Sequence, residues 1–155
     1  MDANPTENMG YMVSKIDAAL EQMDWSIKLF LDHQAYVPAI TLAGAAEEII
    51  GEMLQNRAVF AHLKAKFVAN FNLPEKVISQ EYLNKAKNWL KHWKDMDDDT
   101  TILLDLEGEA VQYIVRAITN LVLHDRSLPS EGPRFFRWLS ANGARLGLDT
   151  PVINN

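Results

Sequence analysis

The segment ITLAGAAEEIIGEML, residues 40–54, decides the fold class because its apolar residues recur at three- and four-residue steps. One side of the resulting helix carries Ile40, Ala43, Gly44, Glu47, Ile50, Gly51 and Leu54. Pro38 lies just before the segment and suits the first turn of a helix, where its missing N–H is not needed. Each of the two glycines costs roughly 1 kcal/mol of helix propensity relative to alanine. This cost indicates close packing of another backbone, so we expect half of a tight helical hairpin.

The same spacing extends through most of the chain. The other half of the hairpin is a predicted helix over roughly residues 8–34, with apolar residues at Ile16, Leu20, Met23, Ile27 and Phe30. Further helices are predicted over residues 58–69, from 75 or 79 to 94, from 99 or 100 to 124, and from 134 to 146. No repeat and no alternation typical of strands is present. The sequence therefore predicts an all-α, single-domain up-and-down helical bundle of five to six helices over residues 8–147, with flexible tails at 1–7 and 148–155.

The helix after residue 99 has its own start signal. Asp99 or Thr100 is the expected N-cap, since both residue types accept a hydrogen bond from the first free backbone N–H groups. The apolar stripe of this helix is expected to include Leu103, Leu106, Ala110, Ile114, Ala117, Ile118 and Leu121. The stretch from 124 to 133, which is rich in serine, proline and glycine, is predicted to be a loop.

The composition is that of a soluble globular protein, with 48% apolar and 23% charged residues. The absence of cysteine excludes disulfides, thiolate metal ligands and cysteine nucleophiles. No apolar run is long enough to span a bilayer, and the first residues lack the pattern of a signal peptide. We therefore expect a cytoplasmic protein with no membrane partner and no cofactor.

Charge is distributed unevenly along the chain, whose net charge is −6. Residues 57–94 carry eight basic and two acidic side chains, a local net charge of +6. Residues 95–109 carry seven acidic side chains and no basic one. The overall acidity argues against non-specific coating of DNA, yet the basic third is suited to local contacts with phosphate groups.

The strongest candidate site is the segment Lys87-Asn88-Trp89-Leu90-Lys91-His92-Trp93-Lys94, which runs into an acidic stretch. Asn88 and His92 are one helical turn apart. The same face is expected to carry Asn84, Lys91 and Asp95. A histidine can act as acid or base near neutral pH, an amide can orient a phosphate, and lysines can hold an anion. The alternative is a surface pair of His92 and Asp95, since helix dipoles favour lysines at one helix end and acids at the next helix start.

Glu47 is the second candidate, because it lies on an apolar stripe where an ionised carboxylate is costly to bury unless it is paired. Its neighbour Glu48 is expected to point further outward. In the functional interpretation, the Glu47 carboxylate reaches a lysine or His92 on a neighbouring helix. In the alternative, Glu47 lies at the edge of the stripe and reaches solvent.

Other residues give weaker signals. Trp89 and Trp93 can stack a nucleobase, although tryptophans at helical spacing are more often core or dimer contacts. The core contacts of this helix are expected to be Leu83, Ala86, Leu90 and Trp93. The four histidines are scattered, so no metal site is predicted, and a site built from Glu47, His92 and Asp95 is the weakest alternative. The sequence lacks a phosphate-binding glycine loop and a nucleophile elbow.

The alanine-rich segment Leu42-Ala43-Gly44-Ala45-Ala46-Glu47-Glu48-Ile49, followed by Asn88-Trp89-Leu90-Lys91-His92 on a later helix, resembles HEPN-like proteins over roughly residues 12–122. More narrowly, an acidic loop after Asn-x-x-Lys-His is similar to the layout of a set of small uncharacterised bacterial proteins. The resemblance implies an all-α bundle, often dimeric, and in many members a metal-independent RNase. The motif of those RNases is arginine, a polar residue, then histidine after four to six intervening residues.

Lys87, Asn88 and His92 match that motif, with a lysine where the family has arginine. Lysine keeps the charge but loses the planar, bidentate contact with phosphate. The resemblance implies a homodimer that binds or cleaves RNA, with His92 as general acid or base and with Asn88 and Lys87 positioning the phosphate. Lys91, Glu47 and Trp89 are the expected substrate-binding residues. The alternative is a non-catalytic interaction module, related to toxin–antitoxin or defence systems, whose basic and acidic parts dock a partner or a second copy.

Overall fold

The computed structural model describes residues 10–92, 101–125 and 128–147. These residues form seven α-helices and contain no strand, which confirms the all-α bundle with slightly more helices than expected. The helices are α1 (Lys15–His33), α2 (Tyr36–Leu54), α3 (Val59–Phe71), α4 (Glu75–Val77), α5 (Lys85–Lys91), α6 (Leu106–Asp125) and α7 (Gly132–Asn142). None of these helices is long and apolar enough to cross a membrane. The predicted tails at 1–7 and 148–155, and the predicted roles of Trp93, Asp95, Asp99 and Thr100, lie outside the described residues.

Helix α1 starts later than its apolar spacing predicts. The Ser14 hydroxyl accepts a hydrogen bond from the backbone N–H of Asp17 at 3.0 Å, which makes Ser14 the N-cap. Residues 10–14 are not helical, so the predicted start near residue 8 is wrong. The hydrogen bond that the Ser14 side chain accepts therefore sets the start of α1. The spacing of apolar residues contains no information about such a cap.

Helix α2 lies at the centre of the bundle and packs along its length against both α1 and α6. Ala39, Ala43 and Ala46 are fully buried, and such small side chains let neighbouring helix axes come close. The predicted stripe is buried at Ile40, Ala43, Gly44, Glu47, Ile50 and Leu54. The second predicted helix and its inner face are therefore confirmed.

The glycines of α2 have a different explanation from the predicted close backbone. A Cβ added at Gly44 would lie 2.7 Å from Cδ of Lys87, so Gly44 makes room for the stem of a lysine side chain. A Cβ added at Gly51 would meet nothing closer than 3.7 Å, from the Asn120 amide. Of these two glycines, only Gly44 lies so close to another side chain that an added methyl group would force that side chain to shift.

The predicted fourth helix is interrupted rather than continuous. Helix α4 passes into a π-helix at Ile78–Leu83, and Asn84 breaks the helix before α5. The Tyr113 hydroxyl donates to the Leu83 carbonyl at 3.1 Å and accepts from the Lys87 N–H at 3.4 Å. These two groups would bond each other in a regular helix, so the inserted hydroxyl replaces one rung of the ladder.

Helix α6 begins at Leu106, and its first turn is capped by Asp105, whose carboxylate accepts from the N–H of Gly108 at 3.0 Å. Residues 101–105 are not helical, and Leu103 is 98% exposed. Its predicted place on the apolar stripe is therefore wrong. Helix α6 also continues to Asp125, into the predicted loop.

Helix α7 covers the end of the hairpin through an aromatic cluster. Phe30 on α1 meets Trp138 edge to face, with ring centroids 4.7 Å apart, and also contacts Phe135 at 5.9 Å. The last predicted helix is shorter than expected, since a 3-10 turn at Gly143–Leu146 follows α7. Helix α7 thus packs on α1, whereas α5 packs on α2.

Candidate functional site

Two cavities lie on the two sides of α5. The first, here called the Glu47 cavity, has a volume of about 520 Å³. Its lining includes Glu47, Glu48, Glu52, Asn84, Lys87 and Asn120. The second, here called the His92 cavity, has a volume of about 420 Å³. It is lined by Gln80, Glu81, Lys85, Asn88, Trp89, His92 and Ile102.

Glu47, which lines the first cavity, belongs to a buried ion pair. The Arg116 guanidinium donates to both oxygens of the Glu47 carboxylate, from Nε and from Nη2, each at 2.8 Å. Both side chains are about 95% buried. Such a bidentate pair satisfies charges that would otherwise be very costly to remove from water. Neither prediction for Glu47 holds, because its partner is not a lysine or His92 and the side chain does not reach solvent.

Arg116 also connects the pair to the break before α5. Its Nη1 donates to the Leu83 carbonyl at 2.9 Å, and its Nη2 reaches Oδ1 of Asn84 at 3.3 Å. The guanidinium carbon lies 4.7 Å from the centre of the Tyr113 ring, in a cation–π contact. Arg116 therefore fixes the start of α5 relative to α2.

Tyr113 and Asn120 complete this network on α6. Burial raises the pKa of Tyr113 to about 12, so its hydroxyl keeps its proton and bridges α5 at physiological pH. The Asn120 Oδ1 accepts from the backbone N–H of Val59 at 2.9 Å, at the start of α3. Arg116, Tyr113 and Asn120 were not predicted from the sequence. The signal that could have identified Arg116 is Glu47 itself, because a carboxylate on the apolar stripe of α2 needs a basic partner on another helix.

Lys87 belongs to the Glu47 side of α5 and is almost fully buried. Its stem crosses Gly44, and its Nζ donates to Oε1 of Glu48 at 2.7 Å. Lys91 donates to the other oxygen of Glu48 at 3.1 Å. Burial raises the pKa of Glu48, but the hydrogen bonds and charges of Lys87 and Lys91 outweigh burial, so the net pKa lies below its usual value. Lys91 is therefore not on the face of His92, contrary to the predicted grouping.

The His92 cavity brings together three of the predicted site residues. Asn88, Trp89 and His92 line it, with His92 exposed in extended backbone just after α5. The π-helix supplies the opposite wall, and π-helical turns occur frequently at functional sites. Within the described residues, no side-chain hydrogen bond or ion pair engages His92 or Lys85.

Trp89, on the α5 side of the His92 cavity, has an unsatisfied hydrogen-bond donor. Its Nε1 is buried and has no hydrogen-bond acceptor among the described residues. Indole N–H groups usually find a partner when buried, and an unmade hydrogen bond costs about 1–3 kcal/mol. Sequence reasoning identified Asn88 and His92 from their spacing, but it missed the cavity residues Gln80, Glu81 and Lys85.

The predicted site residues thus divide into two groups. His92, Asn88 and Trp89 share one cavity, whereas Lys87 and Glu47 line the other. Across the described ranges, no three acidic or histidine side chains are grouped as metal ligands. No protein-family model, no curated protein and no solved structure matches this chain. The resemblance to HEPN-like proteins therefore stays a prediction.

Proposed function

We propose that this chain is a HEPN-like RNA-binding protein, active as a homodimer, that cleaves RNA without a metal ion at the His92 cavity. The observation that carries the proposal is the convergence of Asn88, Trp89 and His92 with Lys85 in one open cavity of about 420 Å³. An imidazole, an amide and an ammonium group are the parts that phosphodiester cleavage needs when no metal is used. A nearby indole offers a surface for stacking a base.

The chemistry would proceed as an internal displacement on the RNA. His92 accepts the proton of a ribose 2′-hydroxyl while that oxygen forms a bond to the adjacent phosphorus. The bond from phosphorus to the 5′ oxygen breaks, and that oxygen takes a proton from water. The products are a 2′,3′-cyclic phosphate and a free 5′-hydroxyl, so no oxidant or second substrate is required.

The geometry supports Lys85 as the phosphate-neutralising cation in place of Lys87. Lys87 is buried against Glu48, so moving it into the His92 cavity would break that ion pair and empty the space that the Lys87 stem fills over Gly44. Lys85 is exposed and already lines the cavity. Glu81 also lines it and opposes a phosphate charge, so Lys85 and Asn88 together must hold the anion.

The proposal is tested by RNA cleavage and RNA binding in the presence of EDTA. We expect the wild type to produce 2′,3′-cyclic ends, and His92→Ala to lose cleavage by at least about 100-fold, the contribution typical of a general base. His62→Ala is the matched control, since His62 is an exposed histidine on α3 outside both cavities. Equal activity in His92→Ala and wild type would contradict the mechanism, as would cleavage that disappears with EDTA.

Binding is measured separately from cleavage. We expect Lys85→Ala to weaken binding of a labelled RNA and Lys66→Ala, an exposed lysine on α3, to leave it unchanged. RNA binding without RNA cleavage would support the RNA-binding half of the proposed function and contradict the catalytic half.

A second candidate function is a non-catalytic interaction module. It is favoured by the structural use of Lys87, the residue that stands where active HEPN-like proteins have arginine. It is also favoured by large exposed apolar side chains on α1 and α2, including Trp25 and Met53. If the wild type neither binds nor cleaves RNA but self-associates or captures a defined partner, this second function replaces the first.

A further inference from the structure

Glu81 is a part of the His92 cavity that the proposed cleavage chemistry does not use. Its side chain lines the cavity together with those of Gln80, Lys85 and Trp89. Glu81 is exposed, and among the described residues its carboxylate makes no hydrogen bond or ion pair. An unpaired carboxylate repels the phosphate groups of RNA. Its presence in a cavity that binds RNA therefore requires an attractive contact with another part of the RNA.

The helix geometry keeps Glu81 from pairing with Lys85. The two residues are four positions apart with the glutamate first, which is the spacing and order that favour an ion pair on a regular α-helix. Glu81 lies in the π-helix Ile78–Leu83, whose turns contain more residues than those of an α-helix. Asn84 then breaks the helix before Lys85 begins α5. Both charges therefore stay available to a ligand.

The fixed charges of the described cavity lining cancel, because Lys85 is positive and Glu81 is negative. A complementary ligand has an anionic group for the ammonium and hydrogen-bond donors for the carboxylate. A nucleotide has both, since its phosphate is the anion and the edge of its base carries N–H groups. Single-stranded RNA exposes these edges to proteins. The two opposite charges thus suit the two ends of one nucleotide.

The four bases differ in what their Watson–Crick edges offer to a carboxylate. Guanine offers two neighbouring donors, N1–H and the 2-amino group, which match the two oxygens of one carboxylate. Uracil offers a single N–H between two carbonyl groups. Adenine and cytosine each offer one amino group next to an acceptor nitrogen, and that nitrogen repels the second carboxylate oxygen. Glu81 can therefore make two hydrogen bonds to guanine and at most one to any other base.

Two neighbouring side chains complete a position for a base. Trp89 lines the cavity from α5, and an indole ring stacks on any base. The exposed Gln80 has a carboxamide N–H for guanine O6, which is the acceptor next to N1–H. The cavity volume of about 420 Å³ falls within the range of about 300–1,000 Å³ that is typical of small-molecule sites. The cavity therefore has room for one nucleotide.

We infer that the His92 cavity binds a guanine nucleotide of RNA, with Glu81 as the residue that selects the base and Lys85 as the contact with the phosphate. This inference rests on the proposed function, because it names the base that the RNA presents at the same cavity. His92 then faces the ribose of the bound guanosine, so its 2′-hydroxyl is the attacking group. Cleavage is expected on the 3′ side of guanosine.

The first experiment measures the binding of nucleoside 3′-monophosphates to the full chain by isothermal titration calorimetry, which does not depend on cleavage. We expect 3′-GMP to bind at least about tenfold more tightly than 3′-AMP, 3′-CMP and 3′-UMP, as one bidentate contact to a base provides. Inosine 3′-monophosphate keeps N1–H but lacks the 2-amino group, so it should bind less tightly than 3′-GMP. Equal affinity for these two nucleotides, tighter binding of another base, or no binding of 3′-GMP at millimolar concentration would overturn the inference.

The second experiment compares two glutamate variants in the same assay. Glu81→Gln replaces one carboxylate oxygen with an amide donor, so we expect it to bind 3′-GMP at least about tenfold more weakly and to lose the preference for guanine. Glu52→Gln is the matched control, because Glu52 is exposed and lines the Glu47 cavity instead. It should keep the preference. A preference that survives in Glu81→Gln, or one that is lost in Glu52→Gln, would rule out Glu81 as the base contact.

Cleavage of a mixed RNA pool separates the failure of this inference from the failure of the proposed function. We expect the wild type to release fragments that end in guanosine 2′,3′-cyclic phosphate. Wild-type cleavage after all four bases would contradict the guanine assignment and leave the proposed function intact. Guanine-selective binding without cleavage would support the inference and contradict the catalytic half of the proposed function. Loss of all cleavage in Glu81→Gln with unchanged 3′-GMP binding would assign Glu81 to the cleavage chemistry and overturn the inference.

Discussion

The two sides of helix α5 carry similar side chains and put them to different uses. On one side, Lys87 is buried, bonded to Glu48 and packed over Gly44. On the other side, Lys85 and His92 face an open cavity and bond to no described side chain. A seven-residue helix therefore separates a lysine that holds the fold together from a lysine that is available to a ligand.

The difference arises on the neighbouring helices rather than in α5 itself. Arg116 and Tyr113 on α6 bond the Leu83 carbonyl and so fix the rotation of α5. That rotation turns Lys87 toward Glu48 and turns Asn88 toward the cavity. The role of a basic residue in a short motif therefore depends on which side chains of other helices it contacts. Four predictions test how firmly the two sides are separated.

The largest effect is expected from Arg116→Ala. This change leaves the Glu47 carboxylate buried without a partner, and removing one member of a buried pair costs about 3–5 kcal/mol of unfolding free energy. Urea denaturation followed by circular dichroism measures the loss. The double change to Glu47→Met and Arg116→Met should recover much of it, since neither charge is then left unpaired. A loss below about 1 kcal/mol for Arg116→Ala would show that the network does not fix α5.

The next effect compares the two lysines directly. Lys87→Ala removes the buried stem and the ion pair with Glu48, so we expect a loss of about 1–3 kcal/mol. Lys85→Ala, at an exposed position, should change stability by less than about 0.5 kcal/mol while weakening RNA binding. The same two assays, urea denaturation and RNA binding, are applied to both variants. Equal losses of unfolding free energy in Lys87→Ala and Lys85→Ala would contradict the distinction between the two sides of α5.

The third prediction compares the two glycines of α2, where the expected changes in unfolding free energy are similar or smaller. Gly44→Ala forces a methyl group against the Lys87 stem, and overpacking of this kind costs about 1–3 kcal/mol. Gly51→Ala meets no close atom, so it should gain up to about 1 kcal/mol from helix propensity. We therefore expect the melting temperature to fall in Gly44→Ala and to rise in Gly51→Ala, as measured by thermal unfolding. A stabilising Gly44→Ala would show that the stem of Lys87 moves away freely.

The smallest effect is a dependence of stability on pH that Glu48 controls. Its folded-state pKa lies below the usual value, so its contribution is present above the ordinary carboxylate pKa and is lost as the pH falls through the folded-state pKa. Glu48 is half exposed, and solvent screening keeps this contribution modest. Unfolding curves from pH 7 to pH 3 should converge for the wild type and Glu48→Gln at the acidic end. A constant difference across this range would contradict the ion pair.

Much of the architecture could be predicted because it depends on local repetition. The inner stripe of α2 and the pairing of α2 with α1 follow from apolar spacing, which is a property of the sequence alone. The predicted start of α1 and the uninterrupted fourth helix were wrong for a different reason. Both depend on a single polar group, the Ser14 hydroxyl in one case and the Tyr113 hydroxyl in the other, that replaces a backbone partner.

The candidate site was predictable to a smaller extent. Asn88 and His92 share a cavity as their four-residue spacing predicts, because they are close in sequence. The spacing did not predict that Lys87 and Lys91 face Glu48, 39 and 43 residues away. It also did not predict the partner of Glu47, since Arg116 lies 69 residues further along the chain.

The sequence by itself determined that this protein is an all-α bundle, that α2 has a buried apolar stripe, and that Asn88 and His92 lie one turn apart. These properties depend on helix periodicity, which acts within a few residues. Only the tertiary structure decided which of the charged side chains are buried and which are available. Burying a charge requires a partner in the right place, and that partner is supplied by helices distant in sequence.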